Sequence, residues 1–354
     1  TSFTYSGQSQ SVGYSIVGAV AQDTNYSVTG ISGTNANSYI ATLSTTSANY
    51  VVEIPSTFNW SIGARVLTIT SSGSTTLTYS GQSQSVTYSV VNAVSQDTNY
   101  SVSGSSGTNA GGYTAMLSTT SSNYVLGTPS TLSWTIGART LTIASSGSTS
   151  FTYSGQSQSV GYSIVGAVAQ DTNYSVTGTA GTNAGSYTAT LSETSSNYVL
   201  GTPSTFTWSI GASTISIASS GSTSFTYSGQ SQSVGYSVTG VFPEDTNYSV
   251  TNASKTNAGD YTATLSETST NYVLGTPTTF SWSIGTRQLS IASSGATSFT
   301  WNGSSQSVGY TISGNVPEDT NYSVSGTSGT NANNYTATLS ETSSNYSLGT
   351  STFS

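Results

Sequence analysis

The chain has 354 residues, of which 34% are apolar and only 5% charged, against about 25% charged in ordinary soluble proteins. Four Lys and Arg against twelve Asp and Glu give a net charge of −8, which excludes the phosphate contacts of a nucleic-acid binder and the basic patch of a membrane-surface protein. With no His and no Cys, disulfides, zinc sites built on those residues and histidine acid–base chemistry are excluded too.

Ser, Thr, Asn and Gly stand where charges usually do, yet 24 Tyr, 9 Phe and 5 Trp are too many aromatics for a disordered chain. No apolar run reaches the ~18–20 residues of a membrane span, so no membrane insertion is expected. The chain starts at Thr1 and its one methionine is Met116, which reads as a processed product or an excerpt.

In chain order, residues 1–64 run from Phe3 and Tyr5 to Trp60 and Ile62, without the Leu-Thr-Ile type of strand that opens the later segments. Residues 65–138 carry the full pattern. Leu67 and Ile69 start one strand, Leu77 and Tyr79 a second, and Val86, Tyr88 and Val90 alternate on a third. Tyr100 and Val102 follow the Gln96-Asp97-Thr98-Asn99 corner, and Thr108-Asn109-Ala110-Gly111 is a turn suited to positive φ. Tyr113, Ala115 and Leu117 form the fifth strand, Tyr124 and Leu126 the sixth, and Leu132, Trp134 and Ile136 the seventh, after Pro129. A period of two places each apolar set on one face of an extended strand, and no window shows helical spacing.

The pattern recurs over 139–212, 213–286 and 287–354, the last stopping at Phe353-Ser354 before its Trp. Tyr5, Tyr79, Tyr153, Tyr227 and Trp301 stand 74 residues apart, as do Trp60, Trp134, Trp208 and Trp282. A constant interval without insertions means one unit in tandem. Seven short strands separated by turn signals predict an all-β fold: five tandem β-sandwich domains of immunoglobulin-like shape, with a β-grasp sheet as the alternative. Each Trp is expected at the centre of its own unit's core. Junctions such as Gly137-Ala138-Arg139 leave no linker, which predicts a semi-rigid, elongated rod. The incomplete end units invite completion by a neighbouring molecule's strand, or simply continue in a longer repetitive chain.

The run Tyr153–Val160 (YSGQSQSV), Thr182–Ala189 (TNAGSYTA), the Asn-Tyr-Val-Leu motif and Trp-Ser-Ile-Gly-Ala resemble the MBG or YDG-type tandem β-domains of bacterial surface adhesins, with related modules in phage structural proteins. Trp301-Asn302-Gly303 matches the family's aromatic-Asp/Asn-Gly opening, where the other units have Ser in the middle place. Arg65, Arg139 and Arg287 stand close to the family's lysine position, with Ser213 in the remaining unit. The resemblance covers essentially the whole chain and implies an extracellular or virion-surface stalk.

The Asp-Thr-Asn-Tyr-Ser motif that begins at Asp23, Asp97, Asp171, Asp245 and Asp319 is open to three chemistries. Asp and Asn side chains can close a turn. Asn25, Asn99, Asn173, Asn247 and Asn321 each head a glycosylation sequon. Glu244-Asp245 and Glu318-Asp319 are the weak calcium candidates, since that ion wants 6–8 oxygens. No catalytic residue or cofactor is expected. There is no His to activate a serine, and neighbouring acids on a strand point to opposite faces. The tyrosines invite a glycan-stacking reading but mostly fall in phase with the core. The sequence thus predicts a non-enzymatic structural segment of a surface fibre, adhesin stalk or filament. Its expected partners are neighbouring repeats, other copies end to end or side by side, or a glycan or host surface bound with avidity.

Overall fold

The computed structural model describes all 354 residues, and its regular elements are strands throughout, with no helix. In the second repeat, three strands lie in the order Tyr88–Val91, Arg65–Ser71, Tyr124–Leu126, and four in the order Tyr100–Ser103, Gly111–Thr119, Thr131–Gly137, Thr76–Thr78. A two-stranded piece pairs Ser106–Gly107 with Gln84–Ser85. Hydrophobic alternation sets the register: Val90 opposes Ile69, and Tyr113 opposes Trp134. Both larger sheets are mixed, because Tyr124–Leu126 and Thr76–Thr78 join their neighbours in parallel.

The third expected strand differs. It breaks at Val86, so that Gln84–Ser85 and Tyr88–Val91 enter different sheets. Val86 is buried at the break and its N–H bonds the Ser105 carbonyl. A period of two fixes which way side chains point, but it cannot register a strand that changes sheet.

All four expected core tryptophans are at most 2% exposed. Each indole N–H donates to a backbone carbonyl: Gly30 from Trp60, Gly104 from Trp134, Gly178 from Trp208 and Asn252 from Trp282, at 2.8–3.0 Å. Those acceptor residues all have positive φ, a conformation open to Gly and tolerated by Asn. Tyr39, Tyr113 and Tyr187 stack on their tryptophans at 4.6 Å between centroids, while Phe3, Phe151 and Phe225 meet them edge-on.

The expectation that each repeat encloses a core of its own is corrected. One buried cluster joins Tyr227, Val234, Ala263, Trp282 and Ile284 of the fourth repeat to Leu289, Ile291, Leu339 and Tyr346 of the fifth. The cause is local. Only Thr286 separates the Thr279–Gly285 strand from Arg287–Ser293, so the chain passes directly from the tryptophan strand to its packing neighbour.

Contacts divide the chain into two compact units. One comprises Thr1–Ala144, Tyr162–Thr177 and Thr190–Phe206, the other Ser145–Gly161, Gly178–Ala189 and Thr207–Ser354. The division passes through repeat 139–212, not along its ends.

Candidate functional site

The Asp-Thr-Asn-Tyr-Ser corner forms a turn. The Asp97 Oδ1 accepts the Asn99 backbone N–H at 3.0 Å, and the same bond recurs from Asn25, Asn173, Asn247 and Asn321. The residue before each aspartate (Gln22, Gln96, Gln170, Glu244, Glu318) sits at φ +62 to +66, a left-handed step that favours glycine. This step helps aim the aspartate inward while its predecessor stays exposed.

The second carboxylate oxygen does something that the motif alone does not announce: it joins two repeats. Asp97 Oδ2 accepts the Tyr124 hydroxyl of its own repeat at 2.8 Å and the Tyr5 hydroxyl of the preceding repeat at 2.9 Å. The preceding tyrosine likewise reaches Asp171 from Tyr79, Asp245 from Tyr153 and Asp319 from Tyr227, at 2.8–3.0 Å. The two phenols around each carboxylate meet edge to face, 5.4–5.5 Å between centroids. Val94 backs the preceding repeat's Gly7, where an added Cβ would come within 2.9 Å of it; Val168 and Val316 play the same part at Gly81 and Gly229, and Phe242 packs against Gly155.

A second contact flanks the first. Asn123, 5% exposed, accepts the Ala36 N–H of the preceding repeat on its side-chain oxygen at 2.7 Å and donates to Asn35. Asn197, Asn271 and Asn345 repeat both bonds at Ala110, Ala184 and Ala258. In the sequence these asparagines stand only at the head of the Asn-Tyr-Val-Leu motif (Asn-Tyr-Ser-Leu at Asn345), with no local mark of a contact to the preceding repeat. Their signal was available, because the Asn of each Ser-x-Asn-Tyr run also recurs at intervals of 74.

The electrostatics follow from this geometry. Burial works to raise the Asp97 carboxyl, but hydrogen bonds from Tyr124, the Asn99 backbone and Tyr5 outweigh it and hold the group below its ordinary value. Burial, with the Asp97 hydrogen bond and charge, pushes the Tyr124 phenol up to about 12, and Tyr198, Tyr272 and Tyr346 behave alike.

Other expected sites are placed as follows. The Asn99 side-chain amide, the sequon nitrogen, also donates to Asp97, as do those of Asn25, Asn173, Asn247 and Asn321 to their own aspartates. The acid pairs are divided: Asp245 and Asp319 turn into the junction, whereas Glu244 and Glu318 are exposed. The groups that surround the aspartates are N–H and O–H donors, a set that suits an anion. The tyrosines split into classes. Eight are buried at the junctions, whereas Tyr14, Tyr162, Tyr236 and Tyr310 are 42–48% exposed at equivalent positions. Tyr88, where Thr87 replaces the preceding glycine, is half-buried.

No family model matches the chain, and no curated protein matches it. Among solved structures it is similar to domains 4–9 of the surface layer protein SbsC, with 11% identity and a TM-score of 0.21. That match covers 88% of this chain, which spans about 65% of the surface layer protein chain it matches.

Proposed function

We propose that this chain is a structural, non-enzymatic repeat segment of an extracellular surface protein, such as a fibre or adhesin stalk. The observation that carries the reading is the repeat-to-repeat joint: the same tyrosine–aspartate–tyrosine bond, flanked by the same asparagine, occurs at all four junctions. Identical joints between successive copies suit a spacer, whose task is to transmit position. A hydroxyl-rich surface with few cationic cleavage points for trypsin-like proteases suits exposure outside the cell. Antibodies against the chain should label intact producing cells, and brief surface proteolysis should remove the label. Label confined to lysed cells would sink the proposal, and label confined to purified phage particles would transfer it to a virion appendage.

A second reading, glycan binding with avidity, is favoured by one observation. Tyr14, Tyr162, Tyr236 and Tyr310 offer a half-exposed ring at the same place in four repeats, so weak sites would be multiplied along one chain. A glycan array probed with the full chain and with the quadruple Tyr→Ala variant tests it. Binding by the first and not the second supports the reading; no binding by either removes it.

A further inference from the structure

We infer that the chain's folding unit is offset from its sequence repeat by half: the four-stranded half of each repeat is an acceptor face for the three-stranded half of its successor. The fourth repeat's tryptophan cluster omits apolar residues of that same repeat. Its own Ile215, Ile217, Leu265 and Tyr272 are all at most 3% exposed, yet none belongs to the cluster around Trp282. Their places are taken by Leu289, Ile291, Leu339 and Tyr346, which are the equivalent residues of the fifth repeat.

The nine-residue strand shows how one element serves two bodies. In Gly259–Glu267, Ala263 lies in the Trp282 cluster and Leu265 does not; in Ala337–Glu341, Leu339 lies in that cluster and Ala337 does not. The same cut separates the third repeat's strand. Ala189 closes a segment of one compact unit, and Thr190 opens a segment of the other, where Leu191 joins a larger cluster that holds Trp134, Leu141 and Ile143 together with Leu67, Leu117 and Tyr124 of the second repeat.

Exposure of the joint tyrosine agrees. Tyr5, Tyr79, Tyr153 and Tyr227, each bonded to the corner aspartate of the following repeat, are 4–5% exposed. The partner that each face fits is therefore chemically defined: a seven-residue strand with Leu or Ile at its third and fifth positions, plus a tyrosine beside an Asp-Thr-Asn corner. The joint bond is the latch of that docking, and docking itself completes the core.

Amide hydrogen exchange on the full chain tests this. Leu289→Ala, in the fifth repeat, should lower protection at least tenfold in Ser224–Thr226 and Thr279–Gly285 of the fourth repeat. Ile217→Ala, within the fourth repeat, should leave those two strands within twofold of the parent. If Leu289→Ala unfolds the chain broadly, Ile291→Val gives the same comparison with a milder cavity. Retained protection of those strands in the fifth-repeat variant overturns the inference, and so does their loss of protection in Ile217→Ala.

Discussion

A phenol and a carboxylate at 2.8–3.0 Å form a charge-assisted hydrogen bond, and its value depends on how little water can replace it. At the Tyr227–Asp319 joint the tyrosine is 5% exposed while the aspartate is half-buried, so replacement is only partial. Tyr227→Phe keeps the ring and its edge-on contact with Tyr346 and removes only the hydroxyl. It should lower unfolding stability by about 1–2 kcal/mol, read as a shift of the urea midpoint. No shift would mean that water fully replaces the bond. Position 104 shows a different control. Its positive φ places an added Cβ against the Thr114 carbonyl, and its own carbonyl holds the Trp134 indole. The fourth repeat carries Asn252 at this place and still holds its tryptophan. Gly104→Asn should therefore cost clearly less than Gly104→Val, since a β-branched residue cannot adopt that backbone region without strain of about 1–3 kcal/mol. Equal losses for the two variants would show that space, not backbone conformation, governs the position.

Among the elements, the tryptophan strand was the most legible in the sequence. Leu132, Trp134 and Ile136 alternate with Ser and Thr, and the strand Thr131–Gly137 has that face turned inward. Trp134→Ala should cost about 3–5 kcal/mol, the ordinary range for deleting a buried indole. Because Trp134 lies in a cluster with Leu141 and Ile143, near-ultraviolet dichroism and exchange should show the loss in strand Arg139–Ser145 as well as in 65–138. A loss confined to 65–138 would restore the one-repeat, one-core view. Most strands and the turn positions were readable because period-two alternation and Gly, Asn and Pro breaks are local signals, but the two-residue strands Gln84–Ser85 and Ser106–Gly107 carry no such alternation. Pairing was not readable. Nothing in Tyr5 marks it as the donor to an aspartate 92 residues away, and Leu67 looks the same whether it packs within its repeat or against the one before. Lys255 shows how a local replacement reads out only in three dimensions. Where other repeats have a glycine against the stacking tyrosine, its ammonium lies 5.6 Å from the Tyr261 ring centroid. That ring is tilted 39° from Trp282, against about 20° elsewhere.

For the whole molecule, the joints and the composition together set how stability responds to pH. The folded carboxyls of Asp97, Asp171, Asp245 and Asp319 lie below their ordinary value of 3.8. A lowered folded pKa contributes stability that is complete above the unfolded value and lost as pH falls through the folded one, so acid acts below about pH 4. The buried phenols carry the opposite sign. Tyr124, Tyr198, Tyr272 and Tyr346 stand at about 12 against an ordinary 10.0, so their contribution is complete below pH 10 and lost as pH rises toward 12. No histidine titrates between these limits. The urea midpoint should accordingly be flat from about pH 5 to 9 and fall on both sides, the acid fall involving all four joints at once. Asp→Asn at the four joint aspartates leaves one acceptor oxygen where the carboxylate has two, one for the turn amide and one shared by both tyrosines, and removes the charge. That variant should be less stable than the parent at pH 7 and show a weaker acid fall, because fewer carboxyls remain to titrate. An unchanged acid limb would separate the pH response from the joints.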